Sequence, residues 1–170
     1  MKHEDEIDSL QWQSIIDTRF TTQVIYPNHP SFKKMNDNYF KVYGVAFLYF
    51  QSMNIFIDGQ ELLKDGYTPA HIYAIEAHEI AHFILEHDKD APSIAQEKSA
   101  DVAAIEILGF MKHNEAKNLL IKRFILLYKC EPILDDILSP KEKEMLISYL
   151  KERDSSLLGK IKRFIRKFKK

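Results

Sequence analysis

Two histidines and a glutamate at helical spacing carry the clearest chemistry in the chain, in the segment His78-Glu79-Ile80-Ala81-His82. Residues four apart on an α-helix are separated by about 40° around its axis, so the imidazoles of His78 and His82 face the same way. Two such rings can bind one zinc ion, and the carboxylate of Glu79 can reach a water molecule on that metal. The pattern predicts a zinc site with a base beside it.

A catalytic zinc ion needs a third protein ligand and an open fourth position. The best candidate for that ligand is Glu97, because Glu97 and Asp101 are again four residues apart and share one helix face. One carboxylate can bind zinc while the other accepts the free ring N–H of a histidine ligand. The alternative interpretation is an ordinary solvated acidic face that includes Lys98.

Two further histidines are weaker candidates for the third ligand. His87 lies five residues after His82, about 140° around the helix, and would need a break in the helix to reach the same metal. A glycine would ease that break, but position 85 is Leu. His87 otherwise suits the last helical turn, where it complements the helix dipole. His71 lies two turns before the motif. If it is not a ligand, it has a surface or packing role.

The pair of motifs His78-Glu79-x-x-His82 and Glu97-x-x-Ala-Asp101 resembles the gluzincin zinc metallopeptidases. The nearest resemblance is to the small intracellular ImmA/IrrE type and to minimal gluzincins, over residues 42–110, and the CAAX-prenyl-processing family shares both motifs. The resemblance implies Zn²⁺ as cofactor, His78, His82 and Glu97 as its ligands, Glu79 as general base, and Asp101 as hydrogen-bond partner of a ligand. Gluzincins usually add an oxyanion donor, for which the chain offers Tyr128, Tyr149 and His113.

The elements that must position these residues indicate an α+β fold, a small zincin-like domain in which a short β-sheet precedes a mainly helical half carrying the metal site. Residues 4–18 have apolar residues at helix-like intervals and predict a short helix. Strands are predicted at residues 21–26, 39–50 and 54–58, the last two joined by a turn at 51–53. Helices are predicted at residues 69–87, 94–109, 112–129 and 140–153, with another from Gly159.

The aromatic strand at residues 39–50 has two interpretations: it packs in the core, or it borders the substrate cleft, where an extended peptide can pair with its backbone. We divide the single predicted domain into an N-terminal helix and loop (1–38), a metallopeptidase core (39–155) and a basic amphipathic C-terminal segment (156–170).

The formal net charge of −1 conceals a basic C-terminal end. Residues 160–170 contain seven Lys and Arg and no acid, so residues 1–159 hold 17 basic and 25 acidic groups. The apolar stripe within this end can lie on an anionic membrane surface or pack on the domain. Its basic residues can also bind the phosphates of a nucleic acid. No apolar run reaches the roughly 18 residues of a transmembrane segment. The acidic N-terminus is unlike a secretory signal.

The single Cys130 excludes an intramolecular disulfide and suits a reducing compartment, so we expect a cytoplasmic protein, peripheral to a membrane if the basic end binds lipid. With one Cys, zinc has to use His and Glu, which favours an open catalytic site over a Cys-rich structural one.

The sequence therefore predicts a zinc-dependent endopeptidase that cleaves a protein or peptide substrate selectively or for regulation. Two alternatives remain: a catalytically inactive zinc-binding interaction module, and an adaptor that acts through the basic end. Glu79 favours catalysis, because a closed structural site has no need of a base at that position.

Overall fold

The computed structural model describes residues 9–26, 28, 49–51, 54–59, 68–87 and 92–167, with the backbone alone described for 49–51 and 155–167. Within these residues there are four strands, β1 Ser9–Gln13, β2 Thr21–Ile25, β3 Tyr49–Gln51 and β4 Asn54–Asp58. After them, the described part of the chain forms five helices: α1 Pro69–Ile84, α2 Ile94–Phe110, α3 Asn114–Tyr128, α4 Leu134–Ile137 and α5 Pro140–Lys167. This order of strands and then helices confirms the predicted α+β class.

The strands form one sheet in the order β1-β2-β4-β3. The β1–β2 and β3–β4 pairs are antiparallel, whereas β2 and β4 run parallel. Thr22 pairs with Ile55 and Val24 with Ile57, and all four side chains are buried on the helix-facing side. Over residues 21–24 and 54–57 buried and half-buried residues alternate, the period-2 pattern expected of a sheet with one covered face, whereas Ile25 and Asp58 at the strand ends are buried as well.

The structure confirms the strands predicted at residues 21–26 and 54–58. The predicted aromatic strand is confirmed at residues 49 and 50. Strand β3 also includes Gln51, which was predicted to lie in the turn, and forms one edge of the described sheet. Residues 39–48 of the predicted strand lie outside the described part of the chain.

The helix predicted at residues 4–18 is wrong over its described part, because residues 9–13 form β1 and residues 14–18 are not helical. Leu10 and Ile15 suggested an apolar helix face, but they are 44% and 47% exposed. Their spacing therefore marks no buried surface. The backbone of β1 pairs instead with β2 along its whole length.

A buried carboxylate of α1 explains why this segment is held against the sheet. Glu76 is fully buried and accepts hydrogen bonds from Trp12, at 3.0 Å, and from Ser14, at 2.8 Å. Thr22 of β2 donates to the same carboxylate. A buried carboxylate without partners is strongly destabilising, so three donors from the N-terminal region fix that region as an extended layer against α1.

The capping signals place the helix starts correctly. Thr68 and Pro69 open α1 as predicted, and Ser93 and Gln96 form the predicted capping box of α2. Helix α3 agrees with the prediction at residues 112–129, whereas the four-residue α4 was not predicted. Helix α5 is continuous to Lys167, so the predicted separate helix from Gly159 is instead the continuation of the helix predicted at 140–153.

Helix α2 is the centre of the helical half. It contacts α1, α3, α4 and α5, and its buried positions surround most of its circumference. A helix that is apolar on most sides is expected to be enclosed by neighbours. Within the described residues, no helix combines the length and apolarity that crossing a bilayer requires.

Candidate metal centre

Three side chains from two helices converge on one point. His78 and His82 project from the same face of α1, and Glu97 comes from the first turn of α2. The Nε2 atoms of the two histidines are 3.0 Å apart and lie 3.3 Å and 3.5 Å from the carboxylate oxygens of Glu97. Ligand atoms around a tetrahedral zinc ion are separated by roughly 3.3–3.6 Å, given metal–ligand bonds of about 2.0–2.2 Å. Both distances to Glu97 lie in this range and the Nε2–Nε2 distance is slightly shorter. The three residues therefore form a possible metal-binding triad with a donor set that zinc uses.

Small residues bring the two helices close enough for Glu97 to reach the histidines. Ala100, Ala103 and Ala104 of α2 are completely buried, as is Ala81 of α1. A larger residue at any of them would push the carboxylate away from the imidazoles.

Asp101 orients the ring of His78. Its Oδ1 lies 2.7 Å from His78 Nδ1 and also accepts a hydrogen bond from Arg123 at 3.0 Å. Burial opposes the charged form of His78, but the adjacent Asp101 and Glu97 carboxylates outweigh it and raise the pKa of His78 to about 10. With the proton of Nδ1 held by Asp101, the Nε2 atom is the one directed at Glu97 and His82.

His82 has a different partner on its far nitrogen. Its Nδ1 lies 2.9 Å from Nδ1 of His87, and Nε2 of His87 lies 3.1 Å from a carboxylate oxygen of Glu142 on α5. The sequence predicted that His87 needs a break in the helix to turn back, and the structure contains one. Helix α1 ends at Ile84, and Glu86 adopts a left-handed conformation with φ 55°. His87 thus returns to His82, but to the nitrogen that faces away from the metal ligands.

Glu79 is the buried carboxylate beside the triad. Burial is the main reason that its pKa rises to about 7, and the negative charge of Glu97 adds to the effect while His78 and Arg123 oppose it. A carboxylate with a pKa near neutrality can both accept and return a proton, which is the property that a general base requires.

A pocket of about 370 Å³ opens beside Glu97. Its wall is partly apolar and partly cationic, and it is formed by Ile94, Glu97, Lys98, Arg123, Leu127 and Tyr128. The Lys98 ammonium lies 5.0 Å from the centre of the Tyr128 ring, a distance typical of a cation–π contact. Of the triad, only Glu97 lines this pocket, so the pocket adjoins the candidate metal centre at that carboxylate.

Other predicted site residues lie elsewhere. The ring of His71 accepts a hydrogen bond from the Thr68 backbone N–H at 3.2 Å, so it caps α1. The Tyr149 hydroxyl donates to the buried Asp17 at 2.9 Å, and the ring of His113 lies against Tyr73. Among the three predicted oxyanion donors, only Tyr128 lines the pocket beside the triad.

Arg123, Glu142 and the contact of His87 with His82 were missed by the sequence interpretation. Ser139 and Glu142 do have the spacing of a capping box, which marks Glu142 as an ordered residue at the start of a helix. Nothing in that local signal indicates contact with a residue 55 positions earlier.

The chain matches no protein-family model, no curated protein and no solved structure in any of the three comparisons made.

Proposed function

We propose that this protein is a zinc-dependent endopeptidase. The observation that carries the proposal is the convergence of His78, His82 and Glu97 next to the buried Glu79. Two His and one Glu are a ligand set typical of catalytic zinc in peptidases, and three protein ligands leave a coordination position open. A structural site would instead be closed by a fourth protein ligand.

The chain's own residues divide the chemistry between them. When bound by such a ligand set, zinc supplies Lewis acidity toward a water molecule and a peptide carbonyl. Glu79 accepts the proton of the attacking water and returns it to the amine that leaves, which its pKa near 7 permits. Tyr128 is the candidate that donates a hydrogen bond to the carbonyl oxygen as negative charge develops there.

The pocket beside Glu97 suits a substrate side chain. Ile94 and Leu127 can contact an apolar stem, while Lys98 places a positive charge at the wall. Arg123 already forms an ion pair with Asp101. We therefore expect a preference for peptides with a long acidic side chain next to the cleaved bond.

Hydrolysis and metal content of the same preparations test the proposal. Glu79→Gln should retain zinc and lose cleavage of a proteome-derived peptide library, because the amide cannot accept the proton. Glu106→Gln makes the same chemical change at an exposed position of α2 and should leave both properties intact. His82→Ala should lose zinc as well as cleavage.

Zinc binding without cleavage by the wild type would contradict the peptidase proposal and favour the inactive zinc-binding module. The hypothesis of an adaptor acting through the basic end stays a prediction, since the side chains of residues 155–170 lie outside the described part of the structure.

A further inference from the structure

We propose that His87 and Glu142 are positioning residues that fix the ring of His82 for metal binding. The proposal rests on the zinc site described above and concerns a hydrogen-bonded chain that runs from α5 to a metal ligand. We call this chain, His82–His87–Glu142, the α5 relay.

The direction of each hydrogen bond in the α5 relay follows from the first one. Nε2 of His82 faces Glu97 and must present a lone pair to a metal, so the ring proton of neutral His82 is on Nδ1. That proton is donated to Nδ1 of His87 at 2.9 Å. Nδ1 of His87 is then an acceptor, so His87 carries its own proton on Nε2 and donates it to Glu142 at 3.1 Å. One arrangement of protons satisfies every nitrogen.

Glu142 is held as the fixed end of the relay. Its Oε2 accepts the backbone N–H of Ser139 at 2.7 Å in the capping box of α5, which leaves Oε1 directed at His87. Burial would raise the pKa of Glu142, but the hydrogen bonds from Ser139 and His87 outweigh it and lower that pKa to about 2. Glu142 is therefore an ionised acceptor at neutral pH, and a charged acceptor strengthens the bond that it receives.

The backbone after α1 is shaped to complete the relay. The left-handed conformation of Glu86 is unfavourable for a residue with a side chain. It allows the backbone N–H of His87 to bond to the carbonyl of His82 at 3.0 Å. The same two residues are thus joined through the backbone and through their rings, and the rings meet edge to face at 5.0 Å.

A neighbouring ion pair distinguishes positioning from general docking of α5. Lys141 and Glu86 form an exposed salt bridge of 3.2 Å between residues adjacent to Glu142 and His87. This salt bridge joins the same two segments without touching the histidines. Lys141→Met is therefore a matched control that weakens the segment contact and leaves the α5 relay intact.

The test measures the zinc dissociation constant of the full chain by competition with a chromophoric chelator. His87→Phe retains a ring but removes the acceptor of His82 Nδ1–H, and we expect the dissociation constant to rise about 10- to 100-fold, the effect typical of losing a partner of a metal ligand. His87→Asn places an amide oxygen near the former Nδ1, and we expect it to recover most of that affinity. Lys141→Met should stay within about twofold of the wild type.

Cobalt substitution supplies a second readout. The visible absorption of bound Co²⁺ reports ligand geometry, and we expect it to change in His87→Phe and to remain wild-type in Lys141→Met. Thermal unfolding of the metal-free variants establishes that each one folds. Should His87→Phe fold poorly, the His87→Asn and Glu142→Ala proteins carry the comparison, with Glu142→Ala weakening zinc binding and His87→Asn retaining it.

Equal zinc affinity in His87→Phe and the wild type would overturn the proposal, as would an equal loss in Lys141→Met. A wild type that binds no zinc would contradict both this proposal and the proposed function. A wild type that binds zinc without hydrolysing peptides would contradict only the peptidase function, and a weaker dissociation constant in His87→Phe would then still support the relay.

Discussion

Replacement of Asp101 by Asn should destabilise the protein even without metal. Asp101 is completely buried, and its Oδ1 interacts with both His78 and Arg123. Its Oδ2 is buried and has no hydrogen-bond partner among the described residues. An Asn amide that keeps its oxygen at Oδ1 puts a buried NH₂ donor at the Oδ2 position, where Asp101 makes no hydrogen bond with the described residues, and the flipped amide faces two donors.

The magnitude follows from these contacts. An unsatisfied buried donor costs about 1–3 kcal/mol. The lost charge of the ion pair adds about 1 kcal/mol, because Arg123 is partly exposed and regains some hydration. We expect Asp101→Asn to lower the free energy of unfolding by about 2–4 kcal/mol. Zinc affinity should fall about tenfold, the lower end of the usual effect, because an oxygen can still accept from His78.

Urea unfolding with excess chelator measures the first quantity, and chelator competition measures the second. Asp154→Asn makes the same change on the exposed side of α5 and should alter stability by less than about 0.5 kcal/mol. If Asp101→Asn and Asp154→Asn unfold at the same urea concentration, then Asp101 does not hold the buried contacts described here and the reasoning is refuted.

Three further outcomes are expected. The pH profile of kcat/KM should fall below about pH 7, because Glu79 must be ionised to accept a proton and its pKa is raised to about 7; a plateau extending to pH 5 would contradict this. Burial would raise the pKa of Asp17, but hydrogen bonds from Arg19 and Tyr149 lower it below 3.8. Asp17 therefore stabilises the fold above that pH, and its contribution to the free energy of unfolding is lost on further acidification. Asp17→Asn should accordingly flatten the acid limb of the curve of stability against pH. Lys98→Met should reduce cleavage of Glu-containing peptides about fivefold relative to their Gln counterparts, measured as kcat/KM, and an unchanged ratio would remove Lys98 from substrate selection.

The features predicted correctly from the sequence are those set by local rules. The helical repeat alone places His78 beside His82, and Glu97 on the same face as Asp101. Capping residues such as Thr68 and Ser93 mark helix starts through hydrogen bonds that span three or four positions. These signals lie within one turn of chain, so no knowledge of the tertiary structure is needed to recognise them.

The features that were missed depend on distant contacts. β1 is a strand because β2 pairs with it and because Trp12 and Ser14 donate to Glu76, which is more than sixty positions away. The hydroxyl of Tyr149 donates a hydrogen bond to Asp17, which lies 132 positions earlier in the sequence. The residue type alone suggested a catalytic role for Tyr149, but these surroundings do not support it.

The return of His87 to His82 shows a different limit. It requires a left-handed backbone at Glu86, a conformation that Gly usually occupies at the end of a helix. The contacts that stabilise this conformation, from Glu142 to His87 and from Lys141 to Glu86, come from a helix that begins more than fifty residues later.

The most direct test of the central claim is the zinc content of the purified full chain, grown with ample zinc, compared with that of Glu97→Ala. We predict about one zinc ion per wild-type chain, as expected for a single site with three protein ligands, and a large loss of zinc in the variant. A wild type without zinc, or a Glu97→Ala protein that keeps the full amount, would contradict the assignment of His78, His82 and Glu97 as the metal site.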